Sequence, residues 1–213
     1  MRHGYDLASK NWEYLASADP VMSALITKIG PIDLHPRRIP PYQSLIHAII
    51  HQQLNGLAAR TIHDRFVALF GNGGFPRPEE IRSIDLEAMK STGLSKFKAA
   101  YIKEVAEMAL TGAIPSLQAC DELTDDEIKD RLLKIKGIGP WTVEMLLIFN
   151  LGRLDVLPIS DLGVRKGFQM VYKKRQLPTP VQLERFGKKW KPYRTMATLY
   201  LWAAVNFIKL NEW

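Results

Sequence analysis

A chain of 213 residues with 46% hydrophobic residues has enough apolar mass for a packed core, which excludes a disordered or low-complexity protein. Its formal charge of +7 points to a polyanionic partner. The single cysteine, Cys120, excludes an intramolecular disulfide and a cysteine-held iron–sulfur cluster, and no apolar run reaches the ~20 residues of a membrane span. With a polar start and no signal peptide, the expected location is the cytoplasm or nucleoid of a bacterium or archaeon, or a eukaryotic nucleus.

Apolar residues at helical spacing predict helices over 6–16 (Leu7, Trp12, Leu15) and 20–29 (Val21, Met22, Leu25, Ile26, Ile29). Asp19-Pro20 supplies an N-cap and a first-turn proline, and Gly30-Pro31 ends the second helix. His35 to Pro41 is an extended, basic linker. Leu45, Ile46, Ile49 and Ile50 mark the buried stripe of the next helix, which Asn55-Gly56 breaks. Leu57, Ala58, Ile62, Phe66, Val67 and Leu69 form the stripe of another, ended by Gly71. Between the two lies a polar knot, His51-Gln52-Gln53-Leu54-Asn55, which on composition alone reads as a solvated helix end.

Three helical pieces follow over 78–111, started at Pro78, at Asp85 and, after Gly93-Leu94-Ser95, at Lys96. In the last of these Phe97, Ala100, Tyr101, Val105 and Met108 are assigned inward. Thr124-Asp125-Asp126-Glu127 is a capping box with an acidic first turn. That helix feeds the stretch around which the chain is organised, Arg131 to Arg165. It reads as a helix with Leu132, Leu133 and Ile135, a turn Lys136-Gly137-Ile138-Gly139-Pro140, a helix with Val143, Met145, Leu146, Leu147 and Phe149, a loop, and a further helix start at Asp161. Gly137 and Gly139 allow positive φ and the close approach of another backbone, and Pro140 suits a first helical position. The turn thereby offers main-chain N–H groups at a helix N-terminus, a natural seat for phosphate.

Beyond Asp161 helices are expected over 163–172, over 178–190 with an acidic, capped start, and from Lys191 onward, with Met196, Leu199, Tyr200, Trp202, Val205 and Ile208 on one face. No alternating strand pattern or repeat occurs, so the fold class is all-α with ten or more helices. By spacing alone Asp161 is equally well an N-cap or a functional carboxylate. His47 and His51 are four apart and share a helix face, but no third ligand follows, so no transition-metal site is expected.

The form Leu132-x-x-Ile135-x-Gly137-Ile138-Gly139-x-x-Thr142 with a lysine in the turn, followed by Asp161 in the twentieth position after Trp141, resembles the helix-hairpin-helix DNA glycosylase superfamily, in its alkylpurine (DNA-3-methyladenine glycosylase II-like) branch. The pattern can be followed from about Pro41 to Trp202. The resemblance implies two helical lobes with a cleft between them: residues 1–40 with 145–213 carrying the catalytic Asp, and 41–144 carrying a wedge turn and the helix-hairpin-helix, whose full span is 131–150. The chain begins too late for the extra β-rich N-terminal domain of larger alkylpurine enzymes.

The same resemblance assigns roles. Asp161 is catalytic, stabilising the positive sugar and orienting water. Trp141 and Trp202, with Tyr42 and Tyr200 behind them, would form an aromatic base pocket. Gln53 or Leu54 would be the wedge that fills the space a flipped base vacates. Lys136, Gly137, Gly139 and Thr142 would hold the DNA backbone, and Gly93 to Ala99 is similar to the family's second, degenerate hairpin, where Lys96 and Lys98 could meet phosphate. Main-chain carbonyls of Leu133, Ile135 and Ile138 match a site for sodium or potassium; no other cofactor is expected. Trp141 stands where bifunctional relatives carry a nucleophilic lysine, which implies base removal without strand cleavage. No second carboxyl is apparent as general acid, Asp155 reading as a loop residue, and this favours cationic alkylated purines, whose departure needs little protonation. The expected partner is double-stranded DNA bearing alkylated bases, met by a monomer in base-excision repair. Two alternatives stay open: a non-catalytic helix-hairpin-helix DNA-binding protein, and a glycosylase for a neutral mismatched or oxidised base.

Overall fold

The computed structural model describes residues 4–54, 56–71 and 73–210, with side chains described over 11–207 outside the same gaps. Asn55 and the side chains of Leu7 and Ile208 therefore lie outside the described residues. Among the described residues thirteen α-helices run in order: α1 Gly4–Ala18, α2 Pro20–Ile29, α3 Pro41–His51, α4 Gly56–Ala68, α5 Pro78–Ser83, α6 Leu86–Ser91, α7 Lys96–Leu110, α8 Leu117–Glu122, α9 Asp125–Leu132, α10 Pro140–Met145, α11 Leu162–Val171, α12 Pro180–Gly187 and α13 Arg194–Leu210. A π-helical turn, Leu146–Asn150, continues α10, and a 3-10 turn, Lys188–Trp190, follows α12. No strand occurs among the described residues, and no helix is long and apolar enough to cross a membrane.

The chain divides into two compact units: unit 1 is Met1–Pro36 with Gly152–Trp213, and unit 2 is Arg37–Leu151. The sequence placed these crossings at 40/41 and 144/145. They fall earlier and later because the ends of unit 2 are stitched together. Arg37 N–H donates to the Phe149 carbonyl at 2.9 Å and Arg38 N–H to the Asn150 carbonyl at 3.3 Å. The fully buried Asn150 side chain then accepts from Ile39 N–H (3.0 Å) and donates to the Ile39 carbonyl (2.9 Å). A buried amide is tolerated only when its donors and acceptors are met in this way.

Unit 1 is built on a buried acid and on glycines. Asp19 caps α2 as expected, accepting from Val21 N–H at 3.1 Å. Its other oxygen accepts from Tyr172 Oη (2.5 Å), Trp190 Nε1 (3.0 Å) and Lys189 Nζ (2.8 Å). Burial would raise its pKa, but these bonds outweigh burial and hold the carboxyl below its ordinary value. Phe168, Tyr172, Phe186 and Trp190 pack ring on ring around this cluster. Helices α11 and α13 meet at Gly167, where a Cβ would lie 2.0 Å from the Leu201 carbonyl oxygen.

Unit 2 packs α3 against α7, α10 and the π turn. Leu45, Ile46, Ile49 and Ile50 are fully buried, as are Ile102, Val105, Val143, Leu146 and Leu147. Several expectations fail locally. Phe97 is 71% exposed and Ala100 is also exposed, because α7 turns Ala99, Ile102 and Val105 to the core instead. Leu57 is 80% exposed, since Ala59 and Phe66 carry the buried side of α4. Leu133 is 42% exposed because helix α9 ends at Leu132, before it. Helix α12 starts at a Thr179–Gln182 capping box with no acid in its first turn, and the helix opening after Lys191 begins at Arg194.

Candidate active site

Asp161 is the N-cap of α11. Its Oδ1 accepts from Val164 N–H at 2.7 Å and from Trp202 Nε1 at 2.9 Å. One oxygen is thus fixed by the first turn of its own helix and by an indole from α13. Two donors on one oxygen fix the orientation of the group. The indole reaches the carboxylate because residue 163 is glycine. A Cβ there would sit 3.0 Å from Asp161 Oδ1 and 3.1 Å from Trp202 Nε1. Gly163 and Gly167 lie four apart on one face of α11, so a small-residue stripe in the sequence Asp-Leu-Gly-Val-Arg-Lys-Gly was the readable sign of this close crossing. It was missed because the segment read only as a helix start.

Trp202 is therefore neither plain core nor simply a stacking surface; it holds Asp161. Asp155, the nearest other acid in sequence, is closed by Arg194, whose Nε donates to Oδ1 at 2.6 Å and Nη2 to Oδ2 at 2.9 Å. Tyr200 does not fit its expected place in a base pocket. Its side chain is fully buried in unit 1 with its hydroxyl donated to the Gly30 carbonyl at 3.0 Å, leaving no ring face open.

In unit 2 the turn after α3 has an unusual backbone. Gln53 is exposed at φ 56°, a conformation that costs a non-glycine residue about 1–2 kcal/mol. Leu54 beside it is 39% exposed, its N–H donated to the His51 carbonyl at 3.3 Å. Three contacts hold the base of this turn. Gln52 Nε2 donates to Thr142 Oγ1 at 3.0 Å, and Lys98 Nζ donates to the carbonyls of Ile50 (2.9 Å) and Gln52 (2.7 Å). Lys98 thus caps the C-terminal carbonyls of α3 instead of facing a phosphate, and burial lowers its pKa. Lys96, two residues earlier, is exposed.

The hairpin departs from expectation at both glycines. Gly137 has φ 89°, but the group it lets close is the Tyr101 ring, which a Cβ would meet at 2.2 Å, and not another backbone. Gly139 is extended, with φ −103°, and a Cβ there would meet nothing within 4 Å. The open space faces the start of α10, where Pro140 takes the first position. Lys136 is exposed. Thr142 is 1% exposed with its hydroxyl bound to Gln52, so its side chain is tied into the fold. The turn closes with Ile138 N–H donating to the Ile135 carbonyl at 3.1 Å.

Trp141, partly buried, lines a cavity of about 240 Å³ within unit 2, together with Arg37, His47, His51, Met145 and Phe149. Tyr42 is not among its lining residues. It lines a different cavity with Pro40, Pro41 and Ile114, and its hydroxyl donates to the Pro76 carbonyl at 3.2 Å. His47 and His51 stack with centroids 4.0 Å apart. Burial and the nearby Arg37 push the His47 pKa down to about 3, and burial lowers that of His51. The sequence showed the pair on one helix face but gave no sign of the arginine, which arrives from the linker through Arg37 Nη1 to His47 Nδ1 at 3.2 Å. No group of three or more potential metal-ligating residues converges among the described residues.

A two-unit helical chain with a hairpin ahead of a capped aspartate defines a class, and comparison places the chain in it. The family model for the HhH-GPD superfamily of base excision DNA repair proteins matches residues 46–192. The chain belongs to that superfamily. It is 43% identical over 162 residues to DNA-3-methyladenine glycosylase 1 of Schizosaccharomyces pombe, covering 76% of this chain and 71% of that one. It is 37% identical over 193 residues to the alkylbase DNA glycosidase-like protein mag2 of the same organism, covering 89% and 90%. A solved structure of the S. pombe 3-methyladenine DNA glycosylase in complex with abasic DNA superposes with a TM-score of 0.87 at 38% identity, covering 96% of this chain and 98% of that one.

Proposed function

We propose that this protein is a monofunctional DNA glycosylase of base-excision repair, removing alkylated purines of the 3-methyladenine type from double-stranded DNA. The observation that carries this reading is the Asp161 carboxylate, held at a helix N-terminus by Val164 N–H and Trp202 Nε1 in a chain of this family. In the reaction the C1′–N bond breaks, its electron pair leaves with the base, and positive charge develops on the sugar. Asp161 stabilises that charge, and a water oxygen then bonds C1′ and loses its proton, giving free base and an abasic site. Preorganised charge of this kind is commonly the largest single contribution to catalysis. Asp155 is committed to Arg194 and supplies no acid for the leaving group. A purine made cationic by alkylation leaves without one.

Other residues take matching roles. Gln53 and Leu54, with Leu57 exposed in the same stretch, form the wedge inserted when the base leaves the stack, at an unstacking cost of a few kcal/mol. Lys136 and the main chain at Gly137, Gly139 and Thr142 hold a DNA phosphate. A sodium or potassium ion fits the main-chain carbonyls of Leu133, Ile135 and Ile138, a set with no charged side chain, and would steer that phosphate. Trp141 offers its indole face to an electron-poor base, a contact worth about 0.5–2 kcal/mol. A tryptophan there cannot form a Schiff base, so strand cleavage is not expected.

The test is incubation with alkylated duplex DNA, with released bases identified by mass and strands resolved before and after alkali. Release of 3-methyladenine, with breaks appearing only after alkali, is the expected result. Breaks before alkali would overturn the monofunctional assignment. DNA binding with no base released would leave a non-catalytic DNA-binding protein.

A further inference from the structure

The Trp141 cavity contains a hydrogen-bonding wall that the reading above does not use. Arg37 is always a donor, so His47 Nδ1 accepts from it, and the proton of the neutral imidazole resides on His47 Nε2. His51 Nδ1 lies 2.8 Å from the His47 carbonyl oxygen, which can only accept, so His51 carries its proton on Nδ1 and its Nε2 is an acceptor. The stacked pair therefore consists of one donor and one acceptor in fixed tautomers, with His63 edge-on to His47 at 5.3 Å. Burial and Arg37 keep His47 neutral, which preserves the pattern. Arg37 is the only ionised side chain of the lining, and the lining holds no acid, so hydrogen bonds rather than charge must discriminate here. The cavity, at about 240 Å³, is smaller than the ~300–1,000 Å³ of sites for drug-sized ligands and suits one flat heterocycle.

The geometry points to the His47–His51 pair as a specificity-determining wall that reads a purine edge presenting one donor and one acceptor side by side. This inference rests on the glycosylase reading. On its major-groove edge adenine offers its amino group beside N7. On the same edge 7-methylguanine offers the O6 acceptor beside a methylated N7 and no donor, which leaves the His51 acceptor unpaired. The wall favours adenine-derived lesions over guanine-derived ones. Leaving a buried polar group unpaired is the usual source of such discrimination.

The experiment is competitive release from one methylated duplex preparation, with 3-methyladenine and 7-methylguanine quantified together by mass. It compares wild type, His51→Ala, His51→Gln and Asp161→Asn, with circular dichroism and thermal melting confirming each fold. The expected result is that His51→Ala lowers the 3-methyladenine to 7-methylguanine release ratio by about tenfold or more, and that His51→Gln, which keeps an acceptor, restores most of it. An unchanged ratio in His51→Ala, or equal loss of both bases, would overturn the inference while leaving the glycosylase reading intact. Absence of release by the folded wild type would overturn both.

Discussion

Unit 1 fixes three of its aspartates with donors, whereas the wedge turn and small cavity of unit 2 present neutral and cationic groups. Asp19, Asp155 and Asp161 are each held by at least two side-chain or main-chain donors. In unit 2 the polar groups at the corresponding level of interest are Gln53 at an exposed tip and the neutral His47–His51 stack. On the proposed function, the difference follows from what each must do. A carboxylate that stabilises a developing charge is effective only if it does not reorganise. A wedge must be exposed, and a base-reading wall must keep fixed tautomers.

The largest test of this contrast is Asp19→Ala. It strands Lys189, Tyr172 and Trp190 around a cavity, and a loss of about 3–5 kcal/mol in unfolding free energy is expected by denaturant titration. A loss below about 1 kcal/mol would mean that the acid cluster does not hold unit 1. Trp202→Phe comes next. It keeps a ring against α11 but removes the donor to Asp161, and base release should fall about ten- to hundredfold with DNA affinity unchanged. Unchanged release would assign Trp202 to packing alone.

Acid titration separates the two units by pH window, with the same sign in both. His47 is neutral in the folded chain down to about 3 but titrates near 6.5 when unfolded. The unfolded state therefore binds the extra proton between those values, and stability falls as pH drops through that window. Asp19 is lowered below 3.8, so its contribution is intact above that value and lost only as pH falls through its folded pKa. His47→Phe should flatten the loss between pH 6.5 and 4 and leave the steeper acid limb in place. The smallest effect expected is from Gln53→Gly, which relieves the left-handed backbone. It should raise stability by up to about 1 kcal/mol while lowering base release. Equal or better release would remove Gln53 from the wedge.

Helix starts were the most legible part of the sequence. Asp19, Asp85, Ser95, Thr124 and Asp161 all cap helices, because a cap is set by a few adjacent residues. Apolar stripes were legible in the middles of α3 and α13 and failed near helix starts, where Phe97 and Leu57 are exposed. Partners far apart in sequence were not legible. Tyr200 on an apolar face reads the same whether it lines a pocket or is sealed in the core, and only its bond to Gly30 decides. Lys98 looked like any basic residue beside a loop until α3 supplied two carbonyls. Gly137 and Gly139 both allow positive φ, but only Gly137 uses it, and the sequence does not separate the two.

The central claim is that the carboxylate pinned by Val164 and Trp202 performs the chemistry. Asp161→Asn preserves the shape of the side chain and its acceptor oxygen but removes the charge. Single-turnover release of 3-methyladenine from alkylated duplex, measured beside DNA affinity, should fall by about 10³-fold or more with binding intact. Release within about tenfold of wild type would contradict the assignment and transfer the role to another group.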